Sequence, residues 1–340
     1  MKERKERPAP GAVIALLGAA LAAALVLALA LGRYPMGIRD IGGILLSRVV
    51  ALEPFWEPVQ ESLFLQHRLP RVLLAAMVGC CLSAAGAAYQ GVFQNPMAAP
   101  DILGASSGAA FGAALAILLG LGQLAVVAMA FAAGILTVAA VIWLGSRAKG
   151  KRMLGLVLAG IMVGSLVSSG TSFIKLVADP EDQLPAITYW LMGSLNGSKS
   201  GDVLLAAAPM AAGLIPLLLL RWRINVLTLG DEEARSIGVH AGRLRTVVIL
   251  CATLVTAASV AVSGVIGWVG LVVPHLARRL VGDNYRYLMP AAMLFGAIFL
   301  LAVDSVSRNL LATEIPIGIL TSFIGAPFFL HMIAGGGERR

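Results

Sequence analysis

Charge is what this chain has least of. Asp, Glu, Lys and Arg together make up 13% of its 340 residues, while apolar residues make up 59% and mean hydropathy is +0.87. Soluble domains carry about 25% charged residues, so a chain this poor in them cannot clothe itself for water and reads as an integral membrane protein. Cysteine is nearly missing as well. Cys80, Cys81 and Cys251 lie in apolar runs without ligand spacing, which excludes a disulfide framework or a zinc ribbon and leaves apolar packing. His67, His240, His275 and His331 are equally scattered, so neither a metal centre nor a cofactor is expected, and His275 in "VVPHLARR" reads as structural. The apolar runs lack the alternation of barrel strands, which excludes a β-barrel. A phosphate-binding loop is absent too: "GSLNGSKS", Gly193 to Ser200, comes near but puts Ser198 where the glycine before Lys199 belongs. No nucleophile, acid pair or metal cluster converges within an apolar run, so the chain is not expected to be an enzyme.

What is abundant is hydrophobic sequence in lengths near the roughly 20 residues that a helix needs to cross a bilayer. Ten spans are expected, near residues 11–31, 72–91, 102–120, 124–145, 153–174, 203–220, 246–264, 268–280, 287–307 and 315–333, the eighth being short. The charge-free run from Ile102 to Ser146 is too long for one span and is divided at "LLGLGQL", where glycines and Gln123 permit a tight turn. The opening "MKERKER" imitates a signal peptide, but the apolar stretch from Gly11 to Leu31 exceeds an ordinary signal core, so an uncleaved first helix is expected. With the N-terminus inside, 18 of the 26 lysines and arginines fall on inner segments, the bias that sets orientation, and both termini are cytoplasmic. The net charge of +8 follows from that bias, with lipid as the partner and no nucleic acid required. The whole chain, 1–340, reads as one all-α membrane domain.

No acidic or basic residue falls near the middle of an expected span. A charge there costs roughly 2.5–3.5 kcal/mol on insertion scales and marks an ion or proton route. An ion-coupled secondary transporter, the competing class, is therefore disfavoured, and the energy source is expected in another subunit. Small residues recur four apart, at Gly104, Gly108 and Gly112 in the third span and at Gly160, Gly164, Ser168 and Ser172 in the fifth, so each set shares a helix face. Two readings stand for the second stripe: close helix packing, and a wet pathway whose hydroxyls come from Ser168, Ser169, Thr171 and Ser172.

The polar island "LGDEEARSIGVHAGRLR", Leu229 to Arg245, reads as a short cytoplasmic helix. Asp231 is placed to cap it, Glu232 and Glu233 occupy the first turn, Asp231 and Arg235 stand four apart, and Gly238 supplies the stop. Such a helix exposes Ala234 and Ile237 beside its charges and wants a partner surface. The acidic stretch "LVADPEDQLPAITYW" reads as a solvated loop that enters a short surface helix.

Four blocks carry a resemblance. "RLPRVLLAAMVGCCLSAAGAAYQGVFQNPMAAPDILGASSGAAFG", "LGDEEARSIGVHAGRLR", "SGVIGWVGLVVPHLARRL" and "IPIGILTSFIGAPFFLHMI", in this order from about Arg68 onward, resemble the FecCD family of ABC importer permeases, which serve ferric siderophores, haem and cobalamin. The resemblance implies a ten-helix permease of a bacterial or archaeal cytoplasmic membrane, working as a homodimer with its pathway at the subunit interface. It implies two ATPase subunits below, one substrate-binding protein above, and an inverted repeat of spans 2–5 and 7–10. Residues 229–245 then correspond to the family's coupling helices, with Asp231, Glu232, Arg235, Ile237 and Gly238 engaging the ATPase.

The same resemblance assigns further roles. Arg68 and Arg71 at the outer end of span two, and Arg308 at the outer end of span nine, are implied to dock the binding protein. Membrane-interface anchoring is the plainer role for the first two, and pairing with Asp304 four residues earlier is the plainer one for Arg308. "QNPMAAPD" is implied to form part of the cytoplasmic gate through Asn95, Pro96 and Met97, opposed by "GSRAKGKR" at 145–152; Met97 stands where many relatives carry leucine, a volume-conserving change. The implied cargo is an iron chelate, a ferric siderophore first because that use is common in the family, with haem and cobalamin as alternatives.

Overall fold

The structure, a computed structural model, describes residues 9–32, 34, 36–147 and 152–335. The expectations for "MKERKER" and for most of the 145–152 loop lie outside the described residues, as do the side chains of Arg152 and Asp231. Among the described residues all regular structure is helical. Helix α1 (Pro10–Ala30) is followed by the short pieces α2 (Ile38–Leu46) and α3 (Pro58–Leu63), and then by α4 (Leu69–Val92), α5 (Ala105–Leu118), α6 (Gln123–Arg147) and α7 (Arg152–Val177). After the short α8 (Gln183–Leu191) come α9 (Ser200–Leu229), α10 (Asp231–Ser236), α11 (Ala241–Ser263), α12 (Val269–Val281), α13 (Tyr285–Asn309) and α14 (Ile317–Gly335). Seven of these stretches are long and apolar enough to cross a membrane, whereas α5 and α14 are shorter apolar helices and α12 has 13 residues.

Two expected spans are redrawn. The second begins at Pro58 rather than near residue 72, because α3 and α4 join through a π-turn at Phe64–Arg68 into one helix of 35 residues. Pro70 supplies the reason: proline has no N–H to give to the preceding turn, and the wider turn, closed by Leu69 N–H on the Phe64 carbonyl, absorbs that break. At about 1.5 Å per residue this helix rises some 50 Å, well beyond the roughly 30 Å hydrocarbon layer. The third span shrinks to the 14 residues of α5. Pro100 opens a 3₁₀ turn, Pro100–Leu103, and Gly104 at φ +77° turns the chain into α5, a left-handed geometry that glycine adopts without cost.

Helix α4 is the axis of the molecule, packed by α9, α11, α12 and α13. It achieves this with small residues. A Cβ on Gly79 would collide with the Gly296 carbonyl of α13, and one on Gly86 with the Gly270 carbonyl of α12, so backbones touch where side chains would otherwise stand. Tyr89, fully buried, fills the space lower down and shares a 2.9 Å hydrogen bond with the Thr253 hydroxyl of α11. Gly108 and Gly112 of α5 do the same work against Thr137, Ala133 and Met129 of α6.

Candidate coupling, gate, pathway and docking sites

The polar island forms α10, and its details correct the sequence reading in two places. Gly230, at φ +124°, is the N-cap, and Asp231 is the first helical residue. A Cβ on Gly230 would meet the Glu233 carboxylate, so the carboxylate of the first turn folds back where only glycine leaves room. Ala234 is fully buried, not exposed, because that face of α10 packs on α9 and α11. Glu232, Arg235 and Ile237 do face outward, with Ile237 56% exposed. Gly238 ends the helix at φ +79° with its N–H donating to the Arg235 carbonyl at 3.0 Å, as a C-terminal glycine should.

The gate residues Asn95, Pro96 and Met97 are all exposed. Asn95 holds the turn locally: its Oδ1 accepts from Met97 N at 2.9 Å, and its N–H donates to the Gln90 carbonyl at 3.1 Å. The neighbour that sequence reasoning missed is Gln94. It takes a left-handed φ of +50°, and its side-chain amide donates to the Leu227 carbonyl at 2.6 Å. Leu227 lies three residues before Gly230, so the gate turn is tied directly to the chain entering α10. A cavity of about 520 Å³, lined by Gln94, Met153, Arg235 and Arg245 among others, separates this pair of segments from α6 and α7.

The pathway stripe splits into two halves. Gly160 is buried against the Ile102 carbonyl and Gly164 lies 3.9 Å from Gly104 at the Cβ position; these two glycines serve close packing. Ser168 and Ser172 are exposed. The same contacts revise the reading of charge placement. Residues 100–104 pack beside the middle of α7, so Asp101, expected at a span end, stands level with the interior of that helix and lines a cleft with Ser168, Ser172 and Lys175. Its carboxylate accepts from Ser106 N at 2.9 Å, which anchors the first turn of α5. The sequence signal was available: two prolines within "NPMAAPD" keep a chain from continuing a helix to the surface it started from.

At the other end of α4 the three arginines are held inside the chain. Arg71 is 7% exposed; its Nε donates to Asp304 at 2.9 Å and its Nη1 to both oxygens of Glu314 at 2.9 Å. Arg308 meets the same Asp304 at 3.0 Å, four residues apart on α13, and reaches the Ala28 carbonyl of α1 at 3.3 Å. Arg68 donates to the Leu29 and Tyr34 carbonyls at 3.0 and 2.6 Å. Asp304 is fully buried and is shared by two guanidiniums, the arrangement a buried carboxylate requires. His275 packs edge-on against Phe328, with ring centroids 5.9 Å apart.

A bundle of long apolar helices around a glycine-seamed axis, with a small charged helix projecting at one end, defines a polytopic membrane permease. Residues 20–334 match the FecCD transport family, and the chain belongs to that family: it is an importer permease of the ABC class, a transport subunit and not an enzyme. It is 41% identical over 304 residues to the molybdate import system permease protein MolB of Haemophilus influenzae, which covers 89% of this chain and 90% of that protein. It is 40% identical over 277 residues to the Fe(3+)-citrate import system permease protein YfmE of Bacillus subtilis, covering 80% and 82%. Its fold superposes on a solved inward-facing structure of a proposed metal-chelate type ABC transporter with a TM-score of 0.85 at 37% identity, over 96% of this chain and 99% of that one.

Proposed function

We propose that this chain forms, as a homodimer, the membrane core of an ATP-driven importer for an iron chelate, a ferric siderophore in the first instance. In this reading it crosses the cytoplasmic membrane ten times with both termini inside, α5, α12 and α14 completing the count. Spans 2–5 and 7–10 form an inverted repeat. The two short helices support it, since α5 and α12 each follow a turn whose last residue, Gly104 or Trp268, has a positive φ. Residues 229–245 are the coupling segment: two ATPase subunits receive Asp231, Glu232, Arg235, Ile237 and Gly238 of each copy.

The observation that carries the reading is the tie from Gln94 to Leu227. A displacement of α10 driven by the ATPases is passed through one hydrogen bond to the turn holding Asn95, Pro96 and Met97, which is what a coupled gate needs. On the outer face Arg68 leads the docking of the substrate-binding protein. Arg71 and Arg308, committed to Asp304 and Glu314, stiffen the platform behind it. Ser168 and Ser172 line the pathway between copies. Haem, cobalamin and, from the name of one relative, molybdate are the alternative cargoes.

The test is Arg235→Glu combined with Ile237→Asp in the reconstituted importer. ATP-dependent uptake should fall to background while the permease still folds and dimerises; unchanged uptake would remove the coupling assignment.

A further inference from the structure

The cleft beside α7 encloses about 260 Å³, and its chemistry is one-sided. Asp101, Ser107, Ser168, Thr171, Ser172 and Lys175 face it, with no aromatic ring and no histidine in the lining. The acceptors are largely spent. The Asp101 carboxylate is taken up by the backbone and hydroxyl donors of Ser106 and by the Ser107 N–H. The Thr171 and Ser172 hydroxyls donate back to carbonyls of their own helix at 3.2 and 3.1 Å. The donors are not spent. Lys175, half-buried, forms no ion pair among the described residues, Asp101 included, and the hydroxyls of Ser107 and Ser168 have no partner there either. An ammonium with two free hydroxyl donors beside a cleft of this volume is a receptor for oxygen acceptors that carry negative charge.

We infer that this cleft selects an anionic, oxygen-rich cargo, either an oxyanion or a chelate with peripheral carboxylates, and that Lys175 is its specificity-determining residue. The inference rests on the importer reading and narrows its cargo: a neutral corrinoid has no charge to offer Lys175. The position suits the role. Lys175 lies in the last turn of α7, where the carbonyl end of a helix favours a cation, at the rim and without a fixed counter-ion. In a homodimer with the pathway between copies, two such lysines face one passage.

The experiment uses proteoliposomes holding this permease with its ATPase and binding protein, and three probes: ferric citrate, molybdate and cyanocobalamin. The wild type should accumulate one of the two anions on ATP and leave cyanocobalamin outside; which anion enters separates the chelate from the oxyanion. Lys175→Gln should lower the initial uptake rate about tenfold, the order expected when a charged contact loses its partner. Lys175→Arg should keep most of that rate, and ATPase stimulation by the binding protein should be equal in all three. An unchanged rate in Lys175→Gln, or uptake of cyanocobalamin alone, overturns the inference while leaving the importer standing. A wild type that takes up no probe and recruits no ATPase overturns the importer reading and this one with it.

Discussion

Helices α4 and α7 are both membrane-length, both rich in small residues, and buried to very different degrees. In the most apolar window of the helix containing α4, 78% of residues are buried inside the chain; in that of α7, 11% are. In α4 Gly79 and Gly86 meet backbone of α13 and α12 and Gly91 meets side chains of Ile224 and Tyr285, whereas the small residues of α7 meet backbone only at Gly160 and Gly164 and end in exposed hydroxyls. The same composition thus does two things. In α4 it brings helices within touching distance; on the C-terminal half of α7 it leaves hydroxyls at the surface, two of them bonded back to their own helix. That contrast is what the proposed pathway between copies requires of α7.

Five variants break or sharpen that contrast, beginning with the largest effect. Asp304→Asn removes the carboxylate shared by Arg71 and Arg308 beside the top of α4, and should destabilise the fold by about 3–5 kcal/mol, the cost of leaving buried charge uncompensated; thermal unfolding in detergent would show it. Gly86→Val forces α4 off α12 and should cost about 1–3 kcal/mol or more, while Gly164→Ala in α7, whose Cβ would make an ordinary contact at 3.9 Å, should leave Tm almost unchanged. Ser168→Leu with Ser172→Leu should leave Tm unchanged yet cut uptake, separating the two helices by function alone. Smallest, Arg68→Glu should weaken docking of the binding protein by about 1 kcal/mol or less, and the loss should shrink as salt rises.

Much of this was legible before any coordinates. Apolar length located α6, α7 and α13 to within a few residues but stopped nine residues short of the end of α9, and the charge pattern of 229–245 located α10 and its stop at Gly238. What misled was the assumption that a span ends where the apolar run ends. Residues 58–68 are polar enough to read as a loop, yet they continue the helix of α4, because α-helical hydrogen bonding does not require apolar side chains. Asp101 was read as peripheral because sequence gives no depth; only the packing of residues 100–104 against Gly160 and Gly164 shows that the chain climbs back beside α7. Ala234 and Arg71 make the same point from opposite sides. One looks exposed beside four charges and is buried, the other looks made for an external carboxylate and finds two at home. Pairs such as Arg71 with Glu314 lie 243 residues apart, beyond any local pattern.

The π-turn at Phe64–Arg68 has a consequence for which residues point where. One extra residue in a turn rotates everything before it by about 100° relative to an unbroken α-helix. Arg68 and Arg71, three apart, would in an unbroken helix project from nearly the same face. Both stand at or beyond the end of the widened turn, so they keep that relation, and the one reaches α1 through the Leu29 carbonyl while the other enters α13 through Asp304. Repairing the helix to plain α geometry, by deleting one residue from the turn, would swing α3 and the segment leading into it to another azimuth around the bundle, and with it the whole outer surface that a delivering protein would meet.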